Sequence, residues 1–299
     1  MPPDVTPHAV KAHPLGFFQL DPIPDADVLS AFYESRYYDL LRAGGRAPEL
    51  RRLLDVAGER TEELAWLEAT LYEDVGDAIA PHVGDLEVLD VGCGAGDLVA
   101  WLARRGWRAC GIDPSTDAVA TASTRGVKAS CATLEAWADA PGHLGRYGAI
   151  TLLNVLEHVP DPLAVLATLQ SLLAPGGVLT FRVPNDFTAI QSAAEASGVR
   201  RGRWWVTAPD HINYFRAASA RAACAATGLE VIDITADFPM EFFLLMGTNY
   251  VDDPGAGKLA HSQRRRFELT MPKDLRQALY RAYAGLGLGR NILVTARRA

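Results

Sequence analysis

Two hydrophobic rhythms alternate along the chain from residue 84 onward. Short apolar runs of strand length lie near 86–91, 108–113, 126–131, 147–154, 177–184, 229–234 and 290–297. Between the earlier runs, apolar residues recur at the three- and four-residue spacing of an amphipathic helix, as Leu98, Val99, Trp101 and Leu102 do. Strands alternating with helices predict an α/β protein built on a mostly parallel sheet. Upstream, residues 25–83 read as helical. Val28, Leu29, Phe32 and Tyr33 repeat at helical spacing, and Leu64, Trp66, Leu67 and Leu71 do so again, with Gly44-Gly45 interrupting the first stretch and Pro81 to Gly84 closing the last. Residues 1–24 are rich in Pro and His, lack a period, and are expected to run extended over the surface.

Two segments exceed what an alternating fold requires. Residues 185–214 follow the fifth strand and carry Trp204-Trp205 and Pro209-Asp210-His211-Ile212-Asn213-Tyr214-Phe215. Residues 236–289 separate the last two strands and contain an apolar stretch, Phe238 to Gly247, with helix-like pieces near 257–269 and 273–284. Connections this long have structure or function of their own. Both leave the carboxyl ends of strands, where α/β proteins bind ligands, and are expected to roof an acceptor pocket.

The chemistry concentrates where the first strand ends. Residues 88–97 read Val-Leu-Asp-Val-Gly-Cys-Gly-Ala-Gly-Asp. Glycine takes positive φ and lets a ligand approach the main chain, so a strand turning here into a helix forms a cradle. A dinucleotide fingerprint would place its third glycine at 97, where the chain has Asp97. The second strand ends at Asp113, 21 residues after Gly92, the interval at which a strand–helix–strand unit presents a carboxylate to a ribose. Tyr147 to Pro162, containing Asn154-Val155-Leu156-Glu157-His158-Val159-Pro160, reads as a fourth strand and its loop, with Asp161 as N-cap and Pro162 at the first helical position. Leu173 to Pro184 reads as a helix end, a Gly-Gly turn and a fifth strand.

In order and spacing these four motifs resemble the class I S-adenosylmethionine (AdoMet)-dependent methyltransferases, over roughly residues 85–185. The resemblance implies a Rossmann-like, seven-stranded mixed sheet with the last strand antiparallel, inserted between the fifth and sixth. It divides the chain into a helical lid (1–83), an AdoMet-binding unit (84–235, with 185–214 as substrate insertion), a cap (236–289) and a final strand (290–299). It places Asp90, Gly92, Cys93 (through its main chain), Gly94 and Gly96 around the methionine moiety and Asp113 on the ribose. Adenine is expected between Ile112 or Pro114 and Thr133-Leu134. Asn154, Val155 and His158 are expected near the sulfonium, with Tyr38 closing the cofactor site. Tyr37, Trp204, Trp205, Asp210, Asn213 and Tyr214 are expected at the acceptor. Histidine titrates near neutrality, so His211 and His158 are the candidate catalytic residues, His211 as the base.

Composition narrows the acceptor. The chain has 299 residues, 49% of them hydrophobic, and a net charge of −7, which disfavours a polyanionic partner. Base methyltransferases carry an Asn/Asp-Pro-Pro-aromatic element after the fourth strand, and Asn154 to Glu157 lacks it, so nucleic acid is set aside. The basic runs are Arg200-Arg201-Gly-Arg203 and Arg264-Arg265-Arg266; the first, in the substrate insertion, reads as a solvated turn, with contact to a phosphate or carboxylate ligand as the alternative. No membrane span or signal peptide is evident, and Cys93, Cys110, Cys131 and Cys224 form no Cys-x-x-Cys pair. They read as small buried hydrophobes of a cytoplasmic protein. No metal is expected, since the Asp/Asn/Asp set of the catechol-type branch is missing. The expectation is a monomer or homodimer that methylates a hydroxyl of a sugar, nucleotide sugar or natural-product intermediate. N- or C-methylation and a non-catalytic AdoMet-binding protein are the alternatives.

Overall fold

The structure, a computed structural model, describes residues 9–25, 29 and 59–298. Two strands, β1 (Ala9–Ala12) and β2 (Phe18–Asp21), precede α1 (Glu59–Leu67), a π-helical turn (Glu68–Tyr72) and α2 (Glu73–Val83). The alternating region then runs β3 (Glu87–Val91), α3 (Asp97–Arg104), β4 (Arg108–Asp113), α4 (Thr116–Thr124), β5 (Ala129–Cys131), α5 (Leu134–Asp139), β6 (Tyr147–Leu153), α6 (Pro162–Leu172) and β7 (Leu173–Pro184). There follow α7 (Ala189–Ala196), β8 (Asn213–Tyr214), α8 (Ala217–Ala226), β9 (Leu229–Ala236), α9 (Glu241–Leu245), α10 (Pro254–Thr270), α11 (Lys273–Gly285) and β10 (Asn291–Arg298).

The main sheet has seven strands in the order β5-β4-β3-β6-β7-β10-β9. Its strands are parallel except β10, which runs antiparallel between β7 and β9. That is the arrangement the motifs imply. Both faces are covered, which explains the unbroken apolar runs. On one face, Leu89, Ile150, Leu152, Leu179 and Phe181 join Leu166, Leu169, Ala220 and Ala223. On the other, Val88, Ala149 and Val178 meet Val75, Ile79, Leu98, Trp101 and Leu102. Asp161 caps α6 through hydrogen bonds from the Leu163 and Ala164 N–H groups, each 3.0 Å, with Pro162 following.

Several expectations change. Residues 9–21 form a hairpin whose second strand pairs with β8, making a separate three-stranded sheet, and Phe17 and Leu20 are buried. Residues 59–83 lie against the sheet as part of its helical layer. Of the helical stretch expected over 25–83, residues 26–28 and 30–58, with Tyr37 and Tyr38, fall outside the described residues. The third strand is short because Gly126, at φ +71, turns the chain and Val127 packs against the Gly96 turn. The fifth is long because pairing starts at Leu173 opposite Tyr147, so the glycines lie within it; a side chain at Gly177 would sit 2.8 Å from the Tyr147 carbonyl oxygen. Cys93, Cys110 and Cys224 are buried, but Cys131, at the end of β5, is exposed.

The 236–289 segment divides in two. Its first part meets the other insertion: α9 packs on α7, and Arg200 pairs with Asp252. The second part forms no roof. It lies on the flank of the sheet, with α11 on β9, the Trp66 indole donating to Glu268 at 2.7 Å, and Arg276 gripping Asp74. Arg264, the head of the second basic run, is buried there. Among the described residues no helix is long and apolar enough to cross a membrane.

Candidate functional site

The turn after β3 is built for close approach. Gly92, Gly94 and Gly96 take φ of +71, +53 and +76. A Cβ at Gly92 would lie 2.5 Å from Val155 Cγ2 and one at Gly96 2.6 Å from Val127 Cγ1, whereas Gly94 faces open space. The Gly92 and Cys93 N–H groups donate to the Ile112 carbonyl at 2.8 and 3.0 Å, tying the turn to β4. Asp113 finishes the tie: its carboxylate accepts from the Gly94 N–H at 2.9 Å and the Ser115 N–H at 2.8 Å. A carboxylate offers about four acceptor positions, so two remain for a ligand's hydroxyls. Cys93 is buried, and burial pushes its thiol well above the ordinary range, leaving only its main chain for a ligand.

Asp90 lies beneath this turn, buried, with the Thr151 hydroxyl donating to it at 2.6 Å. Burial, opposed by the Thr151 hydrogen bond and reinforced by the nearby Asp113 charge, raises its pKa to about 7. Asp97, at the start of α3, pairs with Arg60 at 2.7 Å and Arg125 at 2.6 Å. On the other side of Asp113, Thr133 caps α5 by accepting from the Ala136 N–H at 3.2 Å, and Leu134 and Ile112 turn into the core.

The loop after β6 faces the glycine turn. Asn154 takes φ +57, the left-handed region that asparagine tolerates better than most residues. Its amide donates to Glu157 at 3.0 Å and its oxygen accepts from Arg182 at 2.6 Å. Glu157 is buried with its second carboxylate oxygen unpartnered, and burial, countered first by His158, raises its pKa. His158 Nδ1 donates to the Asp210 carbonyl at 2.7 Å, which directs Nε2 toward Glu157, 3.8 Å away.

The 185–214 insertion is stapled onto this loop. The Asn213 amide donates to the Leu156 and Val159 carbonyls at 3.0 and 2.7 Å, and its oxygen accepts from Gln19 of the hairpin at 2.9 Å. The Tyr214 hydroxyl donates to the His211 carbonyl at 2.7 Å. These bonds bring the His211 ring edge-on to His158, with centroids 5.0 Å apart. Asn213 and Tyr214, read from sequence as acceptor contacts, are therefore enclosed and hold the histidine loop in place. Trp205 is likewise enclosed, between Phe187 and Trp204, and the Asp210 side chain is buried; Trp204 stays partly exposed.

One grouping has no local signal in the sequence. Ligand atoms of Glu157, His158 and His211 all lie within 4.8 Å of one another. A carboxylate with two imidazoles is a donor set suited to a divalent transition ion. The hint available beforehand was Glu157 beside His158; the third member arrives only through the fold.

A family model described as a methyltransferase domain matches residues 39–234. A ubiquinone biosynthesis O-methyltransferase of Marinobacter nauticus is 40% identical over 95 residues, 30% of this chain and 40% of that protein. One of the same name from Paraburkholderia xenovorans is 31% identical over 163 residues, 51% of this chain and 68% of the relative. The chain spans between 40% and 52% of the length of the first three such relatives. Among solved structures, a SAM-dependent methyltransferase from Archaeoglobus fulgidus superimposes with a TM-score of 0.53 at 13% identity, covering 88% of this chain and 99% of that one. The family match, the sheet order and the glycine turn agree: the chain belongs to the class I AdoMet-dependent methyltransferase family.

Proposed function

We propose that the protein transfers the AdoMet methyl group to a hydroxyl of a small organic molecule, with His211 taking the proton. The observation that carries this reading is the edge-on approach of His211 to His158 on the loop facing the glycine turn. Asp113 would hold the ribose of AdoMet, Pro114 and Thr133 would flank its adenine, and Asn154 and Val155 would face its sulfonium, which supplies the methyl group. An oxygen lone pair of the acceptor attacks the methyl carbon, the C–S bond breaks with its electrons returning to sulfur, and the hydroxyl proton passes to His211. The leaving group is neutral S-adenosylhomocysteine, so alignment dominates and can supply ~7–11 kcal/mol. The relatives' name, ubiquinone biosynthesis O-methyltransferase, supports oxygen as the acceptor atom and intermediates of that kind as the first molecules to test. It lends no support to sugars or nucleotide sugars. Incubation with AdoMet and a panel of hydroxylated, aminated and carbon-acid acceptors, read by mass spectrometry, tests the reading. Methylation only at nitrogen or carbon would overturn it.

The Glu157, His158 and His211 grouping favours a second reading, in which a bound divalent cation lowers the acceptor hydroxyl's pKa and His211 acts as ligand. Chelator treatment separates the two: a histidine base that needs no metal keeps its rate in excess EDTA. Loss of rate, restored by added Zn²⁺, Mn²⁺ or Mg²⁺, would establish the cation.

Asp90 gives the apo protein a pH signature. Its folded pKa of about 7 lies well above the 3.8 of an ordinary aspartate, so the folded state favours the protonated form. Stability is full below pH ~4 and falls as pH rises through ~7, by roughly 4 kcal/mol in all. A cationic sulfonium nearby favours the ionised form, so AdoMet affinity should rise over the same window. Asp90→Asn should flatten both trends. Thermal melts and calorimetric titrations between pH 5 and 8.5 check this, and an unchanged slope in the variant would assign the trend to another group.

A further inference from the structure

Arg182 is the one charged residue of β7, and it is buried. Its guanidinium joins two parts of the molecule that the chain separates widely. One terminal nitrogen donates to the Asn154 side-chain oxygen at 2.6 Å, the other to Asp237 at 3.1 Å. Asp237 opens the 236–289 segment. It also accepts from Arg264 of α10 at 2.8 Å and from the Asn291 N–H and amide at 2.7 Å each. Burial alone would raise its carboxyl, but Arg264 and then Arg182 hold it below the ordinary carboxylate range. Arg264 in turn donates to Glu268 at 3.2 Å, and Glu268 accepts the Trp66 indole of α1. The series is continuous: Trp66, Glu268, Arg264, Asp237, Arg182, Asn154, Glu157, with Asp237 and Asn154 partly exposed and the rest buried.

Its far end is the cofactor loop. Asn154 sits in the left-handed region, its amide fixes Glu157, and the next residue, Val155, fills the space against Gly92. Asn154 holds that conformation with both side-chain atoms bonded, and one of the two bonds comes from Arg182. We infer that Asp237 and Arg264 are positioning residues for methyl transfer, acting through Arg182 and Asn154 to set the 154–158 loop against the glycine turn and orient His158. The flanking helices of the 236–289 segment thereby join the cofactor site without touching it. Only a planar, two-pronged donor can hold Asn154 and Asp237 together, which a lysine at 182 cannot do.

The test uses AdoMet itself as probe and needs no acceptor. Arg264→Met leaves a buried carboxylate with fewer partners and can prevent folding. Asp237→Asn combined with Arg264→Met removes both members of the central pair; Glu268 keeps the Trp66 indole and Tyr280 hydroxyl, and Arg182 keeps the Asn154 oxygen. Calorimetry should show AdoMet binding weakened about tenfold in the double variant and in Arg182→Lys, and largely retained in Arg264→Lys, which gives up the Glu268 arm but keeps a cation on Asp237, the arm that leads to Asn154. In ¹⁵N-histidine-labelled protein the His158 ring resonances, assigned with His158→Gln, should shift in the first two and stay in place in the last. A lowered melting temperature with unchanged AdoMet affinity and an unmoved His158 signal would overturn the inference and leave the network as scaffolding. Absence of AdoMet binding in the unaltered protein would instead count against the cofactor placement.

Discussion

Replacing His211 with alanine is expected to lower the rate constant for methyl transfer by ~10²–10⁴-fold, the contribution of a positioned acid–base group, while leaving AdoMet affinity nearly unchanged. The expectation follows from how the residue is held. His211 sits on the insertion; its carbonyl is fixed by the Tyr214 hydroxyl and its ring lies edge-on to His158. The backbone anchors that place it, from Asn213 to Leu156 and Val159, do not involve its side chain, so truncation should leave the loop standing. His158 differs, because its Nδ1 bond to Asp210 ties the cofactor loop to the insertion. His158→Ala should therefore weaken AdoMet binding as well as turnover. The pH–rate profile distinguishes the roles: a histidine base gives an acid limb, and that limb should vanish in the His211 variant. Retention of both rate and acid limb would move the base elsewhere and bring N- or C-methylation forward.

What the chain reveals in advance depends on whether a feature is local. The apolar runs of β3, β6 and β7 are unbroken because those strands are covered on both faces, whereas the edge strands β5 and β9 are partly exposed; the antiparallel β10 came with the family resemblance. The Asp161-Pro162 cap and the glycine turn are written in neighbouring residues and appear as read. The hairpin at residues 9–21 was missed because its strands have four residues each and its third partner, β8, has two and lies far along the chain. No period can be detected over such lengths. The burial of Arg264 was not legible for a related reason: three consecutive arginines on a helix point in different directions, and only the fold shows that the first faces Asp237. The clue lay on the other strand, where Arg182 interrupts Val178 to Val183 and so needs a buried partner. Trp205, Asn213 and Tyr214 show the converse error. Aromatic and amide residues in an insertion suggest ligand contact, but here they pack and staple the segment that carries His211.

Asp113→Ala should weaken AdoMet binding by about 1.5–3 kcal/mol, the range for hydrogen bonds to a charged group, or roughly ten- to a hundredfold in Kd. Asp113 stands at the tip of β4, partly exposed, so its loss opens no core cavity and the fold should survive. The structure adds a complication that the sequence does not show. The same carboxylate already accepts from the Gly94 and Ser115 N–H groups, so its removal loosens the glycine turn as well as any hold on the ribose. A binding cycle with S-adenosylhomocysteine and its 2′,3′-dideoxy analogue separates these effects. If Asp113 holds the ribose, the wild type should lose affinity for the dideoxy compound, whereas the alanine variant should bind both about equally. If Asp113 acts only through the turn, the variant should weaken both ligands by the same factor. That second outcome would leave the ribose to another acceptor on the turn, and Gly94, which faces open space at φ +53, would then owe its geometry to Asp113 alone.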